Sequence, residues 1–337
     1  MINKYIQKID FLLKQANFET FVLDFGNKKN KYCFDLLVKK KSTNLIFLVK
    51  IFLNIDNLKD FAINSIKALS ILLKSKPLLI GIKNRYQKLE DNTIYVREEL
   101  PFITINTLEN ILKYKIYPHV LAKRGGGVIF LDGDRMKTLR EQKNISRKEF
   151  AETLEVTKRT VCAYEKESMR PSETIAQKIV DLLGNDSLFR KINVFEWNFK
   201  FDIDQKELFE DDELNPFEAH LQDIFEDIGI STFWYKNSQV PFKLSLYSDP
   251  SKLYESTFYP LFSTVSDQDN KISELNLKYF ITFTKLLHKQ ALFIVNDNLK
   301  IPDPSLKKNI SIMEVKELEK IDNEDEFIEF VSGSGKK

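Results

Sequence analysis

The stretch SRKEFAETLEVTKRTVCAYEKE, residues 146–167, holds two short helical patterns that meet at a break around Glu155. Ser146 is a good N-cap, and Glu149 three residues later completes an S-x-x-E capping box, in which the two side chains satisfy otherwise orphaned amides. Thr157 is placed to cap the second helix. Phe150, Ala151, Leu154, Val156 and Val161 sit where two short helices crossing at a steep angle share a core. Met136 and Leu139 before them, and Ile175, Ile179 and Leu182 after them, have the spacing to close it. Ala151 matters in this set because a small side chain lets two helices approach closely.

Extended upstream to LREQKNISRKEFAETLEVTKRTVCAYEKE, the segment resembles the helix-turn-helix of the phage repressor and Cro-like (Cro/C1-type) family, which includes many bacterial and archaeal regulators. The family pattern aligns without gaps from about Asp134 to Leu183. The resemblance implies a salt bridge between Arg140 and Glu165 that braces the first helix against the recognition helix. It also implies double-stranded DNA as the partner, with the N-terminal side chains of the second helix aimed at base edges in the major groove. Here those are Thr157, Lys158, Arg159 and Thr160. Lys and Arg donate to guanine O6 and N7, and Thr reaches bases or phosphates. Ser146 and Arg147 fall on the family's backbone-clamping positions, where amides and positive charge meet phosphate. Tyr164 and Lys166 are further phosphate candidates. The other reading of Lys158 and Arg159 is a solvated charged face. Glu155 departs from the pattern by replacing the usual turn glycine, at about 1 kcal/mol if it turns left-handed.

Working outward, KRGGGVIFLDGD (123–134) reads as a hinge, because three consecutive glycines do not hold a regular element; a short strand and an Asp132-Gly133 turn follow. Upstream the order is helix, three strands, helix, strand, strand, helix. Ile2, Ile6, Ile9 and Leu13 share one helical face. FETFVLDF (18–25), KYCFDLLVK (31–39) and NLIFLVKIF (44–52) are β-rich and separated by the turn-prone GNKKN and KKSTN. LKDFAINSIKALSILLK (58–74) is helical, PLLIGIKN is a buried strand, and FITIN precedes the helix TLENILKY. Downstream of the acidic run DIDQKELFEDDELN (202–215) this order repeats. NPFEAHLQDIFEDIG leads to STFWY as the opening helix leads to ETFVL, PFKLSLY follows as CFDLLVK did, TKLLHKQALFIVND mirrors ALSILLKSKPLLIGIKN, and ISIMEVKELEKI mirrors FITINTLENIL.

The spacing predicts a multidomain fold, α/β plus all-α. Residues 1–122 form an α/β domain, 123–133 the Gly-rich hinge and short strand, and 134–184 the helical domain. Residues 185–215 are an acidic connector, and 216–331 a second α/β domain, a divergent repeat of the first.

Composition bounds the function. With 43% hydrophobic and 12% aromatic residues the chain folds rather than staying disordered. Cys33 and Cys162 lack metal-ligand spacing and His119, His220 and His288 are scattered, so neither a structural zinc site nor a disulfide framework is expected. No cofactor is implied. No apolar run reaches the roughly 18 residues that cross a bilayer, and the N-terminus lacks a signal-peptide pattern, which points to a reducing cytoplasm, nucleoid-associated, without membrane contact. The net charge of +2 hides a gradient: residues 1–131 carry 22 Lys/Arg against 11 Asp/Glu, residues 132–183 carry 11 against 10, and residues 184–337 carry 18 against 28. Such polarity suits one end approaching a polyanion, although solvated faces give the same count. The near-neutral helical domain implies help from the N-terminal domain, or a homodimer presenting two reading helices one DNA turn apart.

CFDLL (33–37) and FLVK (47–50), with the strand order around them, resemble the restriction-endonuclease-like superfamily and its PD-(D/E)-x-K motif. That chemistry holds a divalent metal with an Asp and a second acid, beside a Lys. Asp35 and Lys50 match the first acid and the lysine, Leu48 replaces the second acid, and the later repeat has Lys243 in place of Asp35. Both α/β domains are therefore expected to be non-catalytic, with Asp35 and Lys50 joined in a salt bridge between strands. The layout, in which RGGGV leads into a repressor-like motif followed by VPFKL, resembles a family of archaeal helix-turn-helix transcriptional regulators. It implies a Cro/C1-type bundle between two restriction-endonuclease-like domains, a DNA-binding regulator and no enzyme. A metal-dependent nuclease or resolvase, and an adaptor bridging to the transcription machinery, are the alternatives.

Overall fold

The structure, a computed structural model, describes residues 2–23, 32–43, 45–123, 126–184, 188–197, 214–235, 240–248, 258–266, 274–296 and 310–333. Most of the acidic run 202–215, and the expected turn at 26–30, lie outside them. The chain divides into two compact units. Unit 1 takes Met1–Ala16, Ile51–Leu58 and Leu78–Lys200; unit 2 takes Asn17–Lys50, Lys59–Pro77 and Phe201–Lys337. Among the described residues no helix is long and apolar enough to cross a membrane.

In chain order the first half holds α1 (Ile2–Gln15), β1 (Phe18–Val22), β2 (Leu36–Lys40), β3 (Ile46–Asn54), α2 (Asp60–Leu72), β4 (Lys76–Lys83), β5 (Thr93–Arg97), β6 (Leu100–Ile103), α3 (Ile105–Glu109), β7 (Val120–Lys123) and β8 (Gly126–Ile129). Four helices follow: α4 (Gly133–Gln142), α5 (Arg147–Leu154), α6 (Lys158–Glu165) and α7 (Glu173–Leu183). The last third holds α8 (Pro216–Asp227), β9 (Ser231–Trp234), β10 (Leu244–Tyr247), β11 (Leu261–Ser266), α9 (Glu274–Leu286), β12 (Ala291–Val295), β13 (Ser311–Glu314), α10 (Val315–Leu318) and α11 (Glu324–Gly333).

In unit 1 the strands run in the order β4-β6-β5-β7-β8. β5 escaped the sequence reading: TIYVR is a five-residue run whose strand character comes from partners on both sides, β6 antiparallel and β7 parallel. α1 buries Ile6, Ile9, Leu12 and Leu13, adjacent positions on one helical face. The glycines correct a second expectation. Gly126 and Gly127, expected to hold no regular element, are strand residues of β8, with Lys123 opposite Gly126 and Ala122 opposite Gly127, while Arg124 and Gly125 of the expected hinge lie outside the described residues. Beyond β8 the backbone stays stitched to the helical segment. Ile129 N donates to Pro171 O at 3.0 Å, Asp132 N to Leu188 O at 2.9 Å and Arg190 N to Phe130 O at 2.7 Å. Helices α4 to α7 thus belong to the same compact unit as the sheet.

In unit 2, β1 and β2 pair antiparallel, as do β2 and the Ile46–Val49 part of β3. The second sheet has the order β13-β12-β11-β10-β9, antiparallel from β9 to β11 and parallel from β11 to β13. Asn215 starts α8 with a capping box to Glu218 and Pro216 in the first turn, the position where a missing N–H does no harm. Local backbone detail repeats between the two series. Asp35 N donates to Val49 O and Leu23 N to Asp35 O; correspondingly Lys243 N donates to Ser263 O and Tyr235 N to Lys243 O. Lys74 after α2 and His288 after α9 both take positive φ, 49° and 54°, closing their helices alike.

Candidate nucleic-acid interface

The interface is built from helix ends. Ser146 Oγ accepts from Glu149 N at 3.2 Å while Glu149 Oε2 accepts from Ser146 N at 2.8 Å, so α5 begins on the expected reciprocal cap. The Ser146 amide and hydroxyl hold the Glu149 carboxyl below the usual carboxylate range. α6 begins on Thr157, whose Oγ1 accepts from Thr160 N at 3.1 Å. Phe150, Ala151, Leu154 and Val161 are buried with Met136, Ala176, Ile179 and Leu183, and Leu139, Val156, Ile175 and Leu182 pack around them. The core is the one the apolar spacing called for.

The turn between α5 and α6 is left-handed at Glu155, with φ 57° and ψ 39°. Its Cβ costs about 1 kcal/mol there. Its carboxylate takes the exposed Lys178 Nζ at 3.0 Å, a contact worth about 0–1 kcal/mol. Glu155→Gly is therefore expected to leave stability unchanged or raise it by up to about 1 kcal/mol, read as a shift in urea midpoint. A loss beyond about 1 kcal/mol would mean that the carboxylate matters more than the backbone strain.

Arg140 lies buried beneath α6. Its Nε donates to Glu165 Oε1 at 2.8 Å and its Nη1 to Ile145 O at 2.7 Å, with the Arg140 and Glu165 side chains only 5% and 3% exposed. The expected brace is thus present. Arg147 joins it, donating from Nε to Glu165 Oε2 at 2.7 Å, and the contact raises its pKa. The sequence reading assigned Arg147 to phosphate alone; here it also ties the start of α5 to the end of α6.

Lys158 and Arg159 stand exposed on the first turn of α6, and neither has an ion-pair partner among the described residues. Thr157 and Thr160 lie beside them, their hydroxyls 2.8 Å apart and engaged in the cap. Lys166 is exposed at the C-cap. Tyr164 is different: it is 6% exposed, packed in the helical core, and burial pushes its phenol pKa up. Its ring is therefore a core residue, and only the hydroxyl tip remains open. It follows Val161 by three residues and so shares the inward face of α6.

Gly133, expected in a turn, opens α4 behind the cap of Asp132, whose side chain accepts from Arg135 N at 3.0 Å. A Cβ there would meet Glu165 O at 2.3 Å. Gly133 is what lets α4 lie against the backbone end of α6.

The nuclease-like motif has a different geometry. Asp35 is buried and its Oδ1 lies 2.7 Å from Lys50 Nζ, which also donates to Tyr32 O at 2.5 Å. Leu48 is 1% exposed. Among the described residues no group of three His, Cys, Asp or Glu is placed to hold a metal ion. One carboxylate already paired with a lysine, beside a leucine, does not fit the divalent ion this motif uses. In the second series Lys243 pairs instead with Glu218, at 3.2 Å.

Comparison with known proteins places these features. A model described as PD-(D/E)XK superfamily domain matches residues 2–118, and one described as helix-turn-helix matches residues 136–187. The chain is thus a helix-turn-helix protein carrying a PD-(D/E)XK superfamily domain. It belongs to the archaeal family whose members bear the name "Putative HTH-type transcriptional regulatory protein". An Archaeoglobus fulgidus member is 30% identical over 237 residues, 70% of this chain and 72% of that one. A Methanococcus maripaludis strain C6 member is 29% identical over 306 residues, 89% of each chain. With a Methanobrevibacter smithii member the identity is 35% over 182 residues, 54% of this chain and 56% of the relative. No solved structure matches.

Proposed function

We propose that the chain is a transcriptional regulator that reads a specific double-stranded DNA sequence through α6. The observation that carries this reading is a pair of exposed cations, Lys158 and Arg159, without ion pairs among the described residues, on the first turn of a helix whose far end is fixed by the buried Arg140–Glu165 pair. A recognition helix needs both properties, donors that are free to meet base edges and a rigid mount that sets their register. Arg147 Nη1 and Nη2 and the first amides of α5 supply phosphate contacts on the flank, with Lys166 beyond α6. The relatives' name supports the same assignment.

The α/β parts act without catalysis. Residues 1–122 and 216–331 are read as a domain and its divergent repeat flanking the 134–184 bundle in the sequence, a reading supported by the antiparallel triplets β1-β2-β3 and β9-β10-β11 and by the alike helix ends at Lys74 and His288. In the first, Asp35 is committed to Lys50; in the second, a lysine stands at the same place. Their work is dimerisation or contact with the transcription machinery, and a homodimer in the cytoplasm would set two copies of α6 one DNA turn apart. Sedimentation of the full chain should give a dimer; a monomer with undiminished DNA affinity would remove that part of the reading.

The deciding experiment is selection from random duplex DNA with wild type and with Lys158→Ala/Arg159→Ala. Wild type should enrich a motif and the double variant should lose it, each bidentate base contact contributing about 1–3 kcal/mol of discrimination. No enrichment by either protein would leave backbone binding or protein bridging. Metal-dependent cleavage of the DNA, abolished by Asp35→Ala, would refute the non-catalytic assignment.

A further inference from the structure

After α6 the chain turns back along β8, and within unit 1 this leaves a cavity of about 240 Å³. Two donors on its wall have no hydrogen-bond or ion-pair partner among the described residues. Tyr164, on the last turn of α6, is 94% buried, yet its hydroxyl makes no hydrogen bond among the described residues. The ring is buried but the hydroxyl is not sealed off, so it is free to donate to an acceptor in the cavity that Tyr164 lines. Arg170 sits with its guanidinium carbon 3.4 Å from the centroid of the Phe130 ring and has no ion pair among the described residues. Burial lowers its pKa, with the nearby Glu167 opposing. The neighbouring Arg190 is answered, its Nη2 lying 2.6 Å from Glu167 Oε1. Arg170 is exposed, and among the described residues it is the lining cation without an ion pair. Met169 and Pro171 add apolar surface beside it.

We propose that this cavity binds a small carboxylate with a flat apolar body. The carboxylate oxygens accept from the Arg170 guanidinium and the Tyr164 hydroxyl, replacing the water that meets both donors otherwise. The apolar body lies against Met169 and Pro171, where a phosphate or sulfate would leave the surface uncovered. Pockets of this kind pair a mostly apolar lining with a few convergent polar groups, and the size here limits the ligand to roughly one ring. Because Tyr164 belongs to α6, an occupant touches the same helix that carries Lys158 and Arg159. The site itself does not rest on the DNA reading.

The test is calorimetric titration of the full chain with sodium benzoate in the absence of DNA, with benzyl alcohol and inorganic phosphate as comparison probes. Wild type should bind benzoate saturably, and benzyl alcohol and phosphate at least about tenfold more weakly, the scale of a lost hydrogen bond to a charged group. Arg170→Leu should lower benzoate affinity by about tenfold or more, and Tyr164→Phe, which keeps the ring in the core, by several-fold. If Arg170→Leu does not fold, Tyr164→Phe and the Met169 methyl resonance during titration of wild type carry the test. Absence of saturable benzoate binding would overturn the proposal, as would equal binding by wild type and Tyr164→Phe. Phosphate binding as tight as benzoate would also overturn it, by making this a surface for DNA phosphates rather than a ligand site.

Discussion

Arg140→Met is expected to loosen the packing of α4 against α6 by about 3–5 kcal/mol, because it leaves Glu165 as a buried charge without its main partner. Glu165 is 3% exposed at its side chain, and Arg147, the remaining cation, is 37% exposed and reaches only Oε2. Arg140 also donates to Ile145 O, the carbonyl that precedes the α5 cap, so the substitution leaves that acceptor without its donor as well. Amide hydrogen exchange is the appropriate readout, since a chain with two units does not unfold as a single cooperative block. Amides of α4 and α6 should exchange roughly a hundredfold to a few thousandfold faster, while those of β10 to β12 in unit 2 should not change. The companion variant Arg140→Met/Glu165→Met removes both charges and should be less damaged than the sum of the single variants. Exchange within tenfold of wild type in Arg140→Met would mean that Arg147 alone holds Glu165, and that the brace is a three-membered network with redundancy.

What could be read in the sequence follows the range of the interaction concerned. Ser146, Glu149 and Thr157 act on amides two or three residues away, so their roles were visible in the stretch itself. Val161 and Tyr164 carried an equally local signal, the i, i+3 spacing of one inward face, which the phosphate reading of Tyr164 leaves unused. Arg147 could not have been placed the same way: its bond to Glu165 spans 18 residues and depends on how α5 crosses α6. β5 and the glycines of β8 failed for a related reason. TIYVR is short and GGV is β-poor, and both become strands because neighbours supply the ladder. At the nuclease-like motif the sequence went further, because Leu48 reports a missing acid without any knowledge of geometry, and the Asp35–Lys50 pair lies where adjacent strands were expected to set it.

Gly133 joins local and distant constraints, and its replacement is the second large effect. Gly133→Val is expected to destabilise the helical bundle by about 3 kcal/mol, the upper end of the range for overpacking a filled site. The first added atom would lie 2.3 Å from Glu165 O, 2.7 Å from Glu165 C and 2.7 Å from Tyr164 O. All three are backbone atoms, so no rotamer change relieves the contact. α4 must retreat from α6, and retreat lengthens the 2.8 Å bond between Arg140 and Glu165. Gly184→Ala provides the contrast. Gly184 caps α7 at φ 67° and the nearest atom to an added Cβ is the flexible Lys143 Nζ at 3.7 Å, so only the left-handed backbone penalises alanine, by about 1 kcal/mol. Urea denaturation followed at the α4–α6 amides separates the two variants. If Gly133→Val behaves like Gly184→Ala, the helices have room to part, and the close approach of α4 to α6 is a preference of packing and not a requirement for mounting the reading helix.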